Sequence, residues 1–192
     1  MEPCVKMKKI YRLRSDVTNF CSFIEIYPEG QESIIGRSMD QHWQPFEQIN
    51  TSITLKLRKN EEGKKNYQFD ISGSLSPFFV ISEKALDILE DIILPRGQIF
   101  PVASDSKKKK FFGYYPTNSL SNCFNYELSD YTKYPNGLMI YKPVLISKNI
   151  SDEYLFSIEE GINWVFVTDK FKQRVEEAGL LAFDFSWEMP TS

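Results

Sequence analysis

The stretches Phe78-Phe-Val-Ile-Ser82 with Glu83-Lys-Ala-Leu-Asp-Ile-Leu-Glu-Asp91, and Trp164-Val-Phe-Val-Thr168 with Asp169-Lys-Phe-Lys-Gln-Arg-Val-Glu-Glu177, say nearly the same thing twice. Each is a short apolar run rich in β-branched and aromatic residues, then a hydroxyl residue, an acid, a lysine and an amphipathic helix pattern. The hydroxyls of Ser82 and Thr168 are placed to accept from the orphan amides of a first helical turn, and Glu83 and Asp169 suit the positive end of the helix dipole. Leu86, Leu89, Ile92 and Ile93 mark one buried stripe, and Phe171, Val175 and Ala178 the other. Gly179, free to adopt a left-handed conformation, stops the second helix.

Around these units the chain reads mainly as strands. Ile10 to Leu13 and Phe20 to Tyr27 are two candidates. Ile53, Leu55 and Leu57 alternate with polar residues, and Tyr67, Phe69 and Ile71 resume the alternation after the polar connection Asn60 to Lys65, which predicts a hairpin. Ile34 to Asn50 has no usable period and reads as irregular. Pro95 closes the first helix, and Gly97 to Val102 follows as a strand. Residues 103–137 hold short strands joined by long loops, with a turn at Pro135-Asn-Gly137. Leu138 to Ile146, Glu153 to Ile158, Asn163 to Val167 and Leu180 to Trp187 complete the strand set. The class is α+β: a mostly antiparallel or mixed sheet with two short amphipathic helices in repeated strand-helix-strand units.

With 192 residues and 42% hydrophobic content the chain is long enough to bury a sizeable core. A formal charge of −3 argues against a general nucleic-acid binder, which needs a basic surface. Met1 to Arg14 carries charges throughout and no apolar core of secretory type, and no stretch approaches membrane-spanning length. Cys4, Cys21 and Cys123 are odd in number and widely spaced, which suits a reducing compartment, so a cytoplasmic location is expected.

The repeated units, in this order and at this separation, resemble a bacterial immunity-protein family found beside polymorphic and contact-dependent toxins, first catalogued as a domain of unknown function. The resemblance runs from about Asp70 to Trp187. It is carried by Phe79-Val-Ile-Ser82 with its helix, Gly97-Gln-Ile-Phe-Pro101, Tyr114-Tyr-Pro-Thr-Asn118, Tyr126-Glu-Leu-Ser129, Asp152-Glu-Tyr-Leu-Phe156, and Val167-Thr-Asp-Lys-Phe171 through Glu176-Glu-Ala-Gly-Leu180 to Phe183. These are apolar strands, caps and turns, so the match speaks to a common fold before a common activity. It implies residues 76–192 as an immunity-like α+β domain preceded by an N-terminal β-rich lobe at 1–75, either as separate lobes or as one continuous domain. It also implies a non-enzymatic antitoxin that neutralises a cognate toxin by stoichiometric complex formation, with no cofactor, no metal, no nucleic acid and no membrane. The alternatives are an enzyme of unknown chemistry and a general protein-interaction module on the same fold.

The candidate chemistry fits that expectation. His42 is the only histidine, with no cysteine near it in sequence, and reads as a surface or packing residue. Lys107 to Lys110 precede a block of aromatics, but contiguous lysines read better as a solvated hairpin tip than as a stacking platform for a single nucleic-acid strand. No phosphate-cradling glycine motif occurs. Asp152, Glu153, Glu159 and Glu160 read as a solvated rim at strand ends. Tyrosine supplies large contact area at small entropic cost, and the 127–137 loop presents Tyr131 and Tyr134 beside Asp130. A partner surface is therefore expected at Asp130, Tyr131 and Tyr134, assisted by Asp152 and Glu153, against a basic toxin.

Overall fold

The computed structural model describes residues 8–48 and 52–192, with the backbone alone at Ser74 and Leu75. Cys4, the last two residues of the irregular 34–50 stretch and the first half of the charged N-terminal segment lie outside the described residues. In chain order the first elements are β1 (Ile10–Arg12), β2 (Arg14–Ser15), β3 (Ser22–Ile26), α1 (Ile34–Arg37), β4 (Ile53–Arg58), β5 (Ile71–Leu75), β6 (Phe78–Ser82), α2 (Glu83–Ile93) and β7 (Gly97–Ser104). There follow β8 (Phe111–Pro116), β9 (Ser119–Leu120), β10 (Asp130–Tyr134), β11 (Gly137–Lys142), β12 (Leu155–Ile158), β13 (Gly161–Thr168), α3 (Asp169–Glu177) and β14 (Phe183–Asp184). The fold is α+β with mixed sheets, as the patterning predicts.

Six strands form one sheet in the order β3-β4-β7-β8-β6-β5, antiparallel except where β4 runs parallel to β7. It curls until its edge strands β3 and β5 lie side by side, where Phe23 N–H donates to Ser72 Oγ (2.8 Å). A second sheet has the order β1-β13-β12-β9. Alternation along β13 explains why nearly every residue there is buried: Val165 and Val167 face the first core, while Trp164 and Phe166 face a second. The same holds for Leu155 against Phe156 and Ile158 in β12, so this sheet separates the two cores.

Residues before and after position 75 share both sheets, through β4 with β7, β5 with β6 and β1 with β13. The division into 1–75 and 76–192 is therefore not a division of the fold. The predicted hairpin between the strand at 53–57 and that at 67–71 does not form either, since β4 pairs with the earlier β3 and the later β7. Tyr67 and Phe69 spend their alternation on packing against Phe23 and Phe111, with ring centroids 4.9–6.2 Å apart in that group. The irregular 34–50 stretch contains the short helix α1, whose first amides are taken up by Ser33 and the Glu25 carboxylate. The same stretch drives Trp43 and Phe46 onto Tyr115.

The repeated junctions are only partly equivalent. Ser82 caps α2 as expected, its Oγ accepting from Ala85 N–H (3.1 Å). Thr168 stands in the corresponding extended position before α3 but makes no cap, because its hydroxyl donates to Glu153 O (2.9 Å). Helix α3 ends as expected at Gly179 (φ 60°), with Leu180 N–H reaching Val175 O and Gly179 N–H reaching Glu176 O. On urea denaturation, Ser82→Ala should cost about 2 kcal/mol, since it loses both a cap and a buried hydrogen bond to Asp70, and Thr168→Ala about 1 kcal/mol. Equal losses would contradict this assignment of roles.

Candidate partner-binding surface

Strands β10 and β11 form a two-stranded ribbon closed by Pro135-Asn136, with Tyr134 opposite Gly137 and Lys133 opposite Leu138. Gly137 sits at φ 141°, which suits a residue without a side chain at the turn. Pleating sorts the ribbon into two faces. Inward, Tyr131, Leu138 and Ile140 pack on the second core, and Tyr131 meets Phe124 edge-on (5.7 Å). Outward, Tyr134, Met139 and Tyr141 are 49%, 51% and 46% exposed, an apolar stripe left uncovered by the described residues.

Tyr131 and Tyr134, expected on a loop, thus lie on a strand and point to opposite sides. Tyr131 is half-buried and anchors the ribbon, while Tyr134 is available to a partner. Asp130 is exposed at the start of β10, opposite Lys142. The two other acids expected to assist are not beside the ribbon. Asp152 and Glu153 precede β12, whereas the ribbon tip adjoins Glu159 and Glu160 at its far end. Asp152 pairs with Lys170, whose hydrogen bond and charge hold its carboxyl below the ordinary value. Glu153 is not a solvated rim residue: its carboxylate accepts from Arg96 Nε (2.9 Å), and Arg96 Nη1 donates to Ile92 O (2.9 Å), which ties the strap before β12 to the end of α2.

Under the ribbon tip lies a groove of about 430 Å³ whose walls include His42, Tyr126, Leu138, Glu159 and Glu160. Tyr126 Oη donates to Glu160 Oε1 (3.2 Å), while Glu160 Oε2 is shielded from solvent without a hydrogen-bond partner. Burial, then the Glu160 carboxylate, pushes the Tyr126 phenol above its usual value. His42 is exposed at φ 46°, followed by Trp43 at φ 64°, a run of left-handed residues held by Trp43 N–H to Tyr115 Oη (2.9 Å) and Trp43 Nε1 to Ile158 O (3.0 Å). Sequence reading missed this groove because its walls come from positions 42, 126, 138 and 159–160, and only the folded chain joins them.

Lys107 to Lys110 occupy the β7–β8 tip as expected, except that Lys109 turns inward to Asp70 Oδ1 (2.7 Å) and Phe69 O (2.6 Å). Cys21 and Cys123 are buried free thiols. Among the described residues no group of three or more His, Cys, Asp or Glu side chains is gathered as a metal site would be, and no helix is long and apolar enough to cross a membrane. No family model matches the chain, and no curated protein matches it.

Proposed function

We propose that the chain is a non-enzymatic immunity protein that binds a cognate toxin and blocks it by stoichiometric complex formation in the cytoplasm. The observation that carries the reading is the outward face of the β10–β11 ribbon, where Tyr134, Met139 and Tyr141 are about half exposed on a strand pair fixed from behind by Tyr131, Leu138 and Ile140. A rigid aromatic stripe provides anchors of the kind that dominate interface energies. Asp130 lies at the start of the ribbon and Glu159 and Glu160 line the groove under its tip, against Lys133 and Lys142 on the ribbon itself, which supports a basic partner. The resemblance of residues 70–187 to toxin-associated immunity proteins supplies the class of partner.

The test is surface plasmon resonance at two salt concentrations, with as analyte a toxin domain identified from the open reading frame next to this one. Tyr134→Ala and Met139→Ala should each weaken binding by more than about 1 kcal/mol through faster dissociation, and Asp130→Asn should mainly slow association and reduce its salt dependence. Tyr131→Ala should instead lower the stability of the free protein. Unchanged kinetics for Tyr134→Ala and Met139→Ala would move the interface off the ribbon.

A further inference from the structure

Arg12 projects from β1 into the corner made by two indoles that lie nearly at right angles (76°) with their ring centres 5.6 Å apart. Its guanidinium carbon lies 4.0 Å from the Trp164 ring centre and 5.1 Å from that of Trp187, and Arg14 lies 5.6 Å from the Trp187 ring on the same side of the strand. Main-chain bonding locks the arrangement, since Arg12 N–H donates to Trp187 O (3.0 Å). Among the described residues the Arg12 side chain has no ion pair and no hydrogen bond, although it is half-buried and none of its nitrogens is sealed from solvent. The nearby acids are otherwise engaged: Asp184 with Arg14 (3.8 Å) and Ser186 N–H (2.9 Å), and Glu188 with Lys9 (3.1 Å). Burial, and then the like charge of Arg14, lower the Arg12 pKa, as for a cation short of a counter-charge.

We propose that this Arg12–Trp164–Trp187 corner is a recognition point for a carboxylate side chain on an acidic segment of a protein partner. The indoles flank the guanidinium on two sides, and its N–H donors remain open to solvent and to a ligand. Those donors can match a carboxylate in bidentate fashion. Holding the side chain against the indoles in advance reduces the rotamer entropy that an exposed arginine loses on binding, and tryptophan with arginine is the composition of an interface anchor. A polyanion such as nucleic acid is disfavoured, because the chain carries a net charge of −3 and, among the described residues, only Arg14 shares the Trp187 indole with Arg12. The site adjoins the ribbon: a methyl group at Gly161 would touch both Trp164 (2.8 Å) and Ile140 of β11 (3.2 Å). It does not depend on the identity of whatever docks on the ribbon's outer face.

The experiment titrates the isotopically labelled full chain with an acetylated hexaglutamate peptide, following the Arg12 Nε–H and the Trp164 and Trp187 indole N–H resonances. Saturable shifts at these three groups are expected, with hexaglutamine giving none. Arg12→Gln should weaken binding about tenfold or more, and Arg12→Lys, which keeps the charge but not the fork, by several-fold. Arg12→Lys decides the matter if Arg12→Gln loosens the Trp187 segment. Absence of saturable shifts, or affinity unchanged in both variants alongside a lowered melting temperature, would reduce Arg12 to a fastener of the C-terminal segment. Inorganic phosphate binding as tightly as the peptide would overturn the assignment to a protein carboxylate.

Discussion

Asp70→Ala is expected to remove about 3–5 kcal/mol of stability, the range for stranding one member of a buried charge pair. The Asp70 side chain is 2% exposed and accepts from Lys109 Nζ (2.7 Å), Ser82 Oγ (2.6 Å) and Leu181 N–H (2.8 Å). Its backbone exchanges further bonds, donating to Leu181 O and accepting from Ser82 N–H. One carboxylate thus joins the start of β5, the cap of α2, the β7–β8 tip and the segment leading to β14, and its loss leaves a half-buried cation and a buried hydroxyl without an acceptor. Burial pushes this carboxyl up, but the three hydrogen bonds together outweigh it and hold it below the ordinary value. The unfolded chain therefore binds the proton more readily, and the contribution is complete above about pH 4 and lost as the pH falls through the lower folded value. Urea denaturation of wild type and Asp70→Asn should show a stability gap that is wide at neutral pH and narrows in acid. A gap independent of pH would contradict the ion-paired carboxylate.

Tyr115→Ala should cost about 3–5 kcal/mol, and Tyr115→Phe about 1–3 kcal/mol. The ring is fully buried against Trp43 and Phe46, and its hydroxyl accepts from Trp43 N–H in the left-handed turn at His42-Trp43. Truncation leaves a cavity and frees that turn, while the phenylalanine variant keeps the packing and orphans one buried amide. Thermal or urea unfolding checks both. A Tyr115→Phe variant as unstable as Tyr115→Ala would mean that packing contributes little here, and a fully stable one that the amide finds water.

What was legible in the sequence is what neighbours in the chain decide. Ser82 and the stripe through Leu89 act within α2, and Gly179 and the stripe through Val175 within α3, so propensity and spacing found these two helices and missed the short α1. The β10–β11 turn at Pro135-Asn-Gly137 is equally local. Pairing between distant strands is not, and the alternation at 53–57 and 67–71 was compatible with a hairpin until β7 supplied a parallel partner for β4. Tyr131 and Tyr134 could not be told apart without the register that turns one inward. Asp152 is the solvated rim acid it looked like, whereas Glu153 is not, because its partner Arg96 lies 57 residues away in sequence. Arg12 carried no signal at all, since its two indoles come from opposite ends of the second repeated unit.

The central claim is stoichiometric neutralisation through the ribbon, and an inhibition titration of the cognate toxin domain that this proposal requires tests it most directly. The account predicts that toxin activity falls linearly to zero at one equivalent of this chain, and that Tyr134→Ala combined with Met139→Ala abolishes the sharp end point while leaving the fold intact. Complete inhibition by a small fraction of an equivalent would indicate turnover, and no inhibition at excess would remove the toxin as partner; either result contradicts the account.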